Sequence, residues 1–289
     1  MSRALLITGA TGKQGGSVID ALLSRRSPNF TILALTRDAQ SASAERLSAK
    51  SPSIKLLEGN LNDVPALFAS AKELAAPHPL WGVYSVQASM GKGVTLEDES
   101  SVERGGDARS WENPTSVPHF VTKHEIERHL HNSTADGKSD MGWTILRPSI
   151  FMDNLVPGFA SKVFMTTVRD TLGDKPLQWV ATSDIGVFAA MAFEQPEQWN
   201  KKAVGLAGDV LTFQQLSQKF EDVTGSPAGT TFGLLGKALK HRVSIVGTMV
   251  QWFKDEGYKA DIPQIKKAYP EMMDLETWLR TKSAFVQRS

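Results

Sequence analysis

"LLITGATGKQGGSVIDALL" (Leu5–Leu23) decides the fold. An apolar run, Ala4 to Thr8, stops at Gly9, and from Gly15 to Arg26 the residues Val18, Ile19, Leu22 and Leu23 recur at helical spacing. A short apolar run bounded by glycine suits a strand buried in a parallel sheet. Between strand and helix stand Gly9, Gly12 and Gly15, a G-x-x-G-x-x-G turn. Such a turn reverses sharply, lets a ligand reach the backbone unobstructed, and aims N–H groups of a helix N-terminus at negative charge. A dinucleotide pyrophosphate uses all three properties. The strand before and the helix after supply the context in which a glycine triplet carries that meaning.

Beyond this unit, strand-like and helical patterns alternate. "FTILALT" (Phe30–Thr36) predicts a second strand, "DAQSASAERLSAK" a helical crossover, and "IKLLEG" (Ile54–Gly59) a third strand. Val64 to Ala76 predicts a helix capped by Asp63, and "WGVYSV" (Trp81–Val86) a fourth strand. Strands alternating with helices imply right-handed βαβ units. After Val86 the rhythm fails: Gly91 to Pro118 is polar, glycine-rich and acidic, without an amphipathic segment of helix length. It resumes with a helix in "FVTKHEIERHLHN" (Phe120–Asn132) and a strand in "WTILRP" (Trp143–Pro148). "LQWVATSDIGVFAAMAF" predicts a strand, a cap at Asp184 and a buried helix, and "AVGLAGDVLTFQQLSQKFEDVTG" repeats strand then helix. The tail from Leu234 is mostly helical.

The expected architecture is therefore α/β: a Rossmann-type doubly wound parallel sheet with a smaller, mostly helical C-terminal domain. The dinucleotide-binding domain spans 1–150, with 177–207 adding strands and a helix to it, and 151–289 forms the smaller domain for substrate or partner.

Composition narrows the function. The 289 residues carry 32 basic and 31 acidic side chains, without the basic excess of a protein that lives on nucleic-acid phosphates. There is no cysteine, which excludes disulfides, thiolate metal sites and cysteine nucleophiles. No apolar run approaches the roughly 18 residues that span a bilayer, and the N-terminus lacks the pattern of a secretory signal. The expectation is a cytoplasmic protein, or a nuclear one should it regulate, with no direct nucleic-acid or membrane partner and no metal. His124, His129 and His131 share one helical segment with several acids, which a solvated face explains.

Cofactor choice in such folds is set at the end of the second strand, about 20 residues past the glycines. There "ALTRD" places Arg37 where an acidic residue would favour an unphosphorylated ribose. A guanidinium grips a 2′-phosphate bidentately and stacks on adenine. Arg37 thus favours NADP(H) over NAD(H), with adjacent Asp38 arguing the other way.

"TGATGKQGGSVIDALL", "LTRD", "GNLND", "HFVTKHEIERHL", "WTILRPSIFMDNL" and "VATSDIGVFAAMAF", in that order, resemble the NmrA-like family, atypical members of the short-chain dehydrogenase/reductase superfamily. The resemblance implies a Rossmann-type domain binding a nicotinamide dinucleotide, usually NADP(H), with a smaller domain closing over a cleft. Some members are regulators that bind cofactor without turning it over, and others are treated as oxidoreductases. Carried onto this chain, it implies that Gly9, Ala10, Thr11, Gly12, Lys13, Gln14 and Gly15 cradle the pyrophosphate and Arg37 the 2′-phosphate. It places Asn60 and Leu61 against adenine, although the family more often has aspartate where Asn60 stands. Gln87, Ala88 and Ser89 would pass near the ribose and nicotinamide, and Phe151 to Asn154, Phe151 and Asn154 included, would line the nicotinamide end.

Lys123 matches the lysine of the family's H-F-x-x-K signature and is the candidate contact to the cofactor. Typical short-chain reductases carry a tyrosine four residues before that lysine; here the position is His119. That spacing puts both side chains on one helical face, and a histidine can donate a proton near neutral pH. The alternative reading of His119 is a capping or core-satisfying histidine. The superfamily serine falls at Ser101 or Ser100. The candidate catalytic set is Lys123, His119 and Ser101.

One departure from the family pattern stands out. Family chains carry about twenty residues between an acidic stretch like "GVTLEDE" and the strand that delivers a stretch like "SSVERGG"; here "TLEDE" runs directly into "SSVERGG". The helix and fifth strand before Ser100 are therefore expected to be missing, as a real loss or as an artefact of how the gene was read. Function is expected to be either NADP(H)-dependent reduction of a carbonyl or activated double bond of a small organic substrate, or cofactor-dependent redox sensing through a regulatory protein partner.

Overall fold

The computed structural model describes residues 2–25, 30–86, 111, 117–135, 137, 139–231 and 244–286, the side chains of 118, 119, 122 and 244–246 excepted. The chain divides into two compact units, Met1–Val94 with Thr182–Asn200, and Thr95–Ala181 with Lys201–Ser289.

The first unit is built on a four-stranded parallel sheet in the order β3-β2-β1-β4, from Ile54–Glu58, Phe30–Thr36, Arg3–Ile7 and Leu80–Tyr84. Four of five β1 residues are buried, as a central parallel strand requires. On one face, Leu6, Leu33, Leu35 and Leu57 pack against Leu67, Ala71 and Ala75 of α3 (Val64–Ala75). Asp63 starts that helix by accepting the Ala66 amide at 3.0 Å, as its sequence predicts. Helix α1 (Lys13–Ser24) packs against the helix Thr182–Glu194 so closely that a Cβ on Gly186 would overlap the Ser17 carbonyl. Arg25 closes this pair with a bidentate bond to Glu194, Nη2 to Oε2 at 2.7 Å. Asp184 is expected as the residue that precedes that helix. The helix begins at Thr182, so Asp184 lies buried within its first turn.

The second unit holds two small sheets. Thr144–Pro148 pairs in parallel with Lys202–Leu206, and Ile150–Phe151, Leu177–Val180 and Asp209–Leu211 form a three-stranded sheet. The stretch expected as one strand in "AVGLAGDVL" is thus two. The break at Gly208 has a packing cause: its backbone lies so close to Met273 that any Cβ would overlap the Met273 carbonyl. Helices Pro118–Thr134, Phe159–Leu172, Phe213–Thr224, Ser244–Asp255, Ile262–Ala268 and Leu275–Thr281 complete the unit. Phe213–Thr224 opens on a reciprocal capping box between Thr212 and Gln215 and ends at Gly225, whose φ of 75° suits glycine. The core joins Trp179, Leu216, Phe220, Val250, Trp252, Phe253, Trp278 and Leu279. Val250 and Phe253 of the helix Ser244–Asp255 are therefore core residues.

The stretch in which the interruption is expected, 87–110, lies outside the described residues. Among the described residues, no strand is bonded to the outer edge of β4, and Val83 on that strand is 40% exposed. The next described strand, Thr144–Pro148, belongs to a different sheet. Gln87, Ala88, Ser89, Ser100 and Ser101 lie outside the described residues.

Candidate cofactor-binding residues

Gly9 sits at φ 56°, a left-handed conformation that favours glycine, immediately after buried Thr8. The chain then turns tightly, with the Gly12 amide donating to the Gly9 carbonyl at 2.9 Å. Gly12 is the N-cap of α1 and supplies no side-chain cap. Glycine at Gly15 has a steric cause: a Cβ there would overlap the carbonyls of Gly9 and Thr8. Ala10 is buried, whereas Thr11, Gly12 and Lys13 are exposed and Gln14 is half-buried. The turn therefore presents bare backbone and a helix N-terminus whose first turn contains no acidic side chain. That is the local chemistry an anion needs.

Thr8 adds a feature that the glycine pattern does not reveal. Its hydroxyl donates to the Val86 carbonyl at 2.8 Å and accepts the Val86 amide at 2.7 Å. One side chain thus ties the end of β1 to the end of β4, directly before Gln87. The signal in the sequence is slight, a polar residue closing an apolar strand.

Arg37 and Asn60 follow the carboxyl ends of β2 and β3. Registry aligns Thr36 with Glu58, so both residues join the glycine turn at one end of one sheet. Arg37 is exposed. Asp38 is exposed, and its Oδ1 accepts the Gln40 amide of its own loop at 2.8 Å. The Thr36 hydroxyl donates to the Asp38 carbonyl at 3.0 Å, and Glu58 accepts the Ala39 amide at 3.0 Å. The acidic residue that argued against a 2′-phosphate is thus occupied as a turn former. Asn60 likewise uses its side-chain oxygen on the Asn62 amide, at 2.8 Å. Beside it, Leu61 and Val64 are both exposed large apolar side chains.

In the second unit, Lys123 is half-buried on α4 (Pro118–Thr134). His119 lies in the first turn of the same helix; its side chain lies outside the described residues. One turn beyond Lys123, Glu127 is buried and meets the buried Arg147, with Nη2 to Oε2 at 2.7 Å and Nε to Oε2 at 3.1 Å. The indole of Trp111 lies 5.0 Å from the Arg147 guanidinium. Removing one partner of such a pair strands a buried charge, at a cost of about 3–5 kcal/mol. Sequence reasoning missed this pair, although an arginine inside the apolar strand "TILRP" signals that a carboxylate must lie nearby. Phe151 is half-buried immediately before a single 3-10 turn, Met152–Asn154, whose last residue, Asn154, is exposed.

The histidines divide. His129 is exposed, as a solvated face predicts, but His124 is buried and His131 packs 5.1 Å from the Trp111 ring. Among the described residues no three His, Asp or Glu side chains gather as a metal site. No described helix is long and apolar enough to cross a membrane.

Comparison with known proteins agrees with this geometry. The sequence model of the NmrA-like family matches residues 1–99 and 100–279, in two pieces that meet at Glu99–Ser100. The chain is 25% identical over 260 residues to the NmrA-like family domain-containing oxidoreductase hkm9 of Aspergillus hancockii, covering 78% of this chain and 74% of that one. Its fold is similar to that of NmrA, a negative transcriptional regulator solved with NAD, with a TM-score of 0.64 at 16% identity over 97% of this chain and 95% of the other. It is similar also to the NADPH-dependent quinone oxidoreductase QOR2 of Escherichia coli, solved with NADPH, with a TM-score of 0.66 at 17% identity over 95% and 98% of the two chains. The Rossmann-type α/β fold, the order of the motifs and the family match lead to one conclusion: the chain belongs to the NmrA-like family.

Proposed function

We propose that this protein binds NADP(H) and is an oxidoreductase that reduces a carbonyl or activated double bond of a small organic substrate. The observation that carries the reading is the Gly9–Gly15 turn, where positive φ and two close backbone approaches leave no room for side chains. A pyrophosphate fits that bare backbone. The exposed Arg37, beside an Asp38 already used by its own turn, supports the phosphorylated cofactor over NAD(H). The relatives named as oxidoreductases support a reaction.

When bound, the cofactor supplies a hydride. The residues assigned around it bind and orient it. Gly9, Ala10, Thr11, Gly12, Lys13, Gln14 and Gly15 take the pyrophosphate, with Asn60 and Leu61 against adenine. Gln87, Ala88, Ser89, Phe151 and Asn154 are assigned to the nicotinamide end. Lys123 holds ribose hydroxyls through its ammonium group and is the candidate source of the proton that balances the hydride. His119 is the alternative donor, and Ser101 takes the place of the superfamily serine. The site of action is assigned to the cytoplasm.

A second reading is a sensor that binds NADP(H) without turnover and passes its redox state to a regulatory protein. The residue that favours it is His119, which stands where a reductase of this superfamily carries its proton-donating tyrosine. A screen for substrate-dependent NADPH oxidation decides between the two. Oxidation that Lys123→Ala abolishes supports the enzyme; tight nucleotide binding with no turnover across the screen overturns it in favour of the sensor.

A further inference from the structure

We propose that the Glu127–Arg147 pair is a positioning device that fixes the rotation of the Lys123 helix, with Trp111 as its cover; the proposal rests on the reading of Lys123 as a cofactor contact. Lys123 and Glu127 are four residues apart on Pro118–Thr134 and so share one helical face. A turn of the helix by a single residue, about 100°, would carry both away together. Glu127 cannot make that turn. Glu127 is 4% exposed, and its carboxylate accepts from both Nε and Nη2 of Arg147, which is 1% exposed.

Arg147 is itself immobilised. Its strand, Thr144–Pro148, runs in register beside Lys202–Leu206, with Arg147 opposite Gly205. The Trp111 ring faces the guanidinium at 5.0 Å and packs 6.2 Å from the Trp143 ring, one residue before the strand begins. A forked guanidinium holding both a carboxylate and an aromatic face defines direction as well as distance.

Stability alone does not account for the pair. Buried ion pairs replaced by apolar residues of similar volume often leave a fold as stable as before, and their best-attested use is to fix register. The register here is that of the only lysine on the helix. The pair touches neither substrate nor cofactor in this reading, and acts through Lys123.

The test is a double-mutant cycle on nucleotide affinity, which a purely structural role would leave additive. The variants are Glu127→Leu/Arg147→Met, which removes both charges, and Lys123→Ala, alone and combined, each followed by thermal unfolding and by tryptophan-fluorescence titration with NADPH. Positioning predicts a charge-free variant that melts close to the parent yet binds NADPH about tenfold more weakly, as Lys123→Ala alone does. Adding Lys123→Ala to it then costs less than a further twofold. Native affinity in the charge-free variant, or losses that multiply, overturns the proposal. Lys123→Ala without effect in a parent that binds NADPH overturns the reading of Lys123, and the proposal with it. Arg147→Lys keeps the charge and loses the fork, and decides the same question if the charge-free variant fails to fold: affinity lost in step with Lys123 supports positioning, and native affinity refutes it.

Discussion

Gly15 and Gly16 are neighbours in the first turns of one helix, and the fold predicts opposite outcomes for alanine at each. At Gly16 the new Cβ would meet its nearest neighbour, the Ala10 carbonyl oxygen, at 3.4 Å, an ordinary contact. Alanine in a helix is worth about 1 kcal/mol over glycine, so Gly16→Ala should be neutral or mildly stabilising. At Gly15 the Cβ would overlap the Gly9 carbonyl and lie 2.6 Å from the Thr8 carbonyl oxygen. These obstacles are backbone, which cannot swing aside as a side chain can. Overpacking costs about 1–3 kcal/mol, and subtracting the helix gain of about 1 kcal/mol leaves a loss of up to roughly 2 kcal/mol. For a chain of this size that lowers the melting temperature by up to roughly 8 °C. The loss in binding should be larger, because moving the Gly9–Gly12 turn misplaces the amides meant for the pyrophosphate. Hydrogen bonds to charged groups are worth about 1.5–3 kcal/mol, so NADPH affinity should fall by at least about tenfold. Thermal unfolding and fluorescence titration of the two variants side by side make the measurement. A Gly15→Ala protein that melts and binds like Gly16→Ala would refute the assignment of this turn.

Three further outcomes follow from other parts of the molecule. Arg37→Ala should weaken NADPH about 10- to 100-fold, the worth of a bidentate charged contact, and leave NADH affinity within about twofold; equal losses for the two nucleotides would remove Arg37 from the 2′-phosphate. Burial would raise the Asp274 pKa, but the Thr277 amide and hydroxyl and the Lys219 and Lys266 charges outweigh it and lower it below 3.8. Its charge therefore adds stability above that pH and ceases to as pH falls through the lowered value. Because the side chain is well exposed the effect is a few tenths of a kcal/mol, and Asn caps a helix as well as Asp. Asp274→Asn should melt slightly lower than the parent at pH 7 and level with it near pH 2, and a gap that widens in acid contradicts the assignment. Finally, inserting the family's segment of about twenty residues at Glu99–Ser100 should cover the edge of β4. The extended chain should melt higher and bind NADPH more tightly, and equality on both measures would show that nothing needed is missing.

Local pattern carried much of the fold. The strand Phe30–Thr36 and the Asp63 cap are properties of a few adjacent residues, so sequence periodicity and capping chemistry reveal them. Likewise the helix around Lys123, which the pattern places from Phe120 and the backbone begins at Pro118, where proline suits a first turn. What stayed hidden depends on partners far along the chain. The split of "AVGLAGDVL" into two strands follows from the Met273 backbone lying against Gly208, more than sixty positions away. His124 looks like a member of a polar face and is buried because of what packs against its helix. The use of Asp38 as a turn former needs the Gln40 amide to be located. The expectation of a missing strand has a different basis: a crossover has a minimum length, and the chain between Val86 and Ser101 does not reach it with an apolar strand to spare. The family match breaks at the same place, between Glu99 and Ser100.

The central claim is that the glycine turn and Arg37 hold NADP(H). Titration of the protein with NADPH and with NADH, followed through its 7 tryptophans, tests that claim most directly. Saturable binding of NADPH, at least about tenfold tighter than NADH, is the predicted result. Failure to bind either nucleotide, in a protein that melts cooperatively, would contradict it.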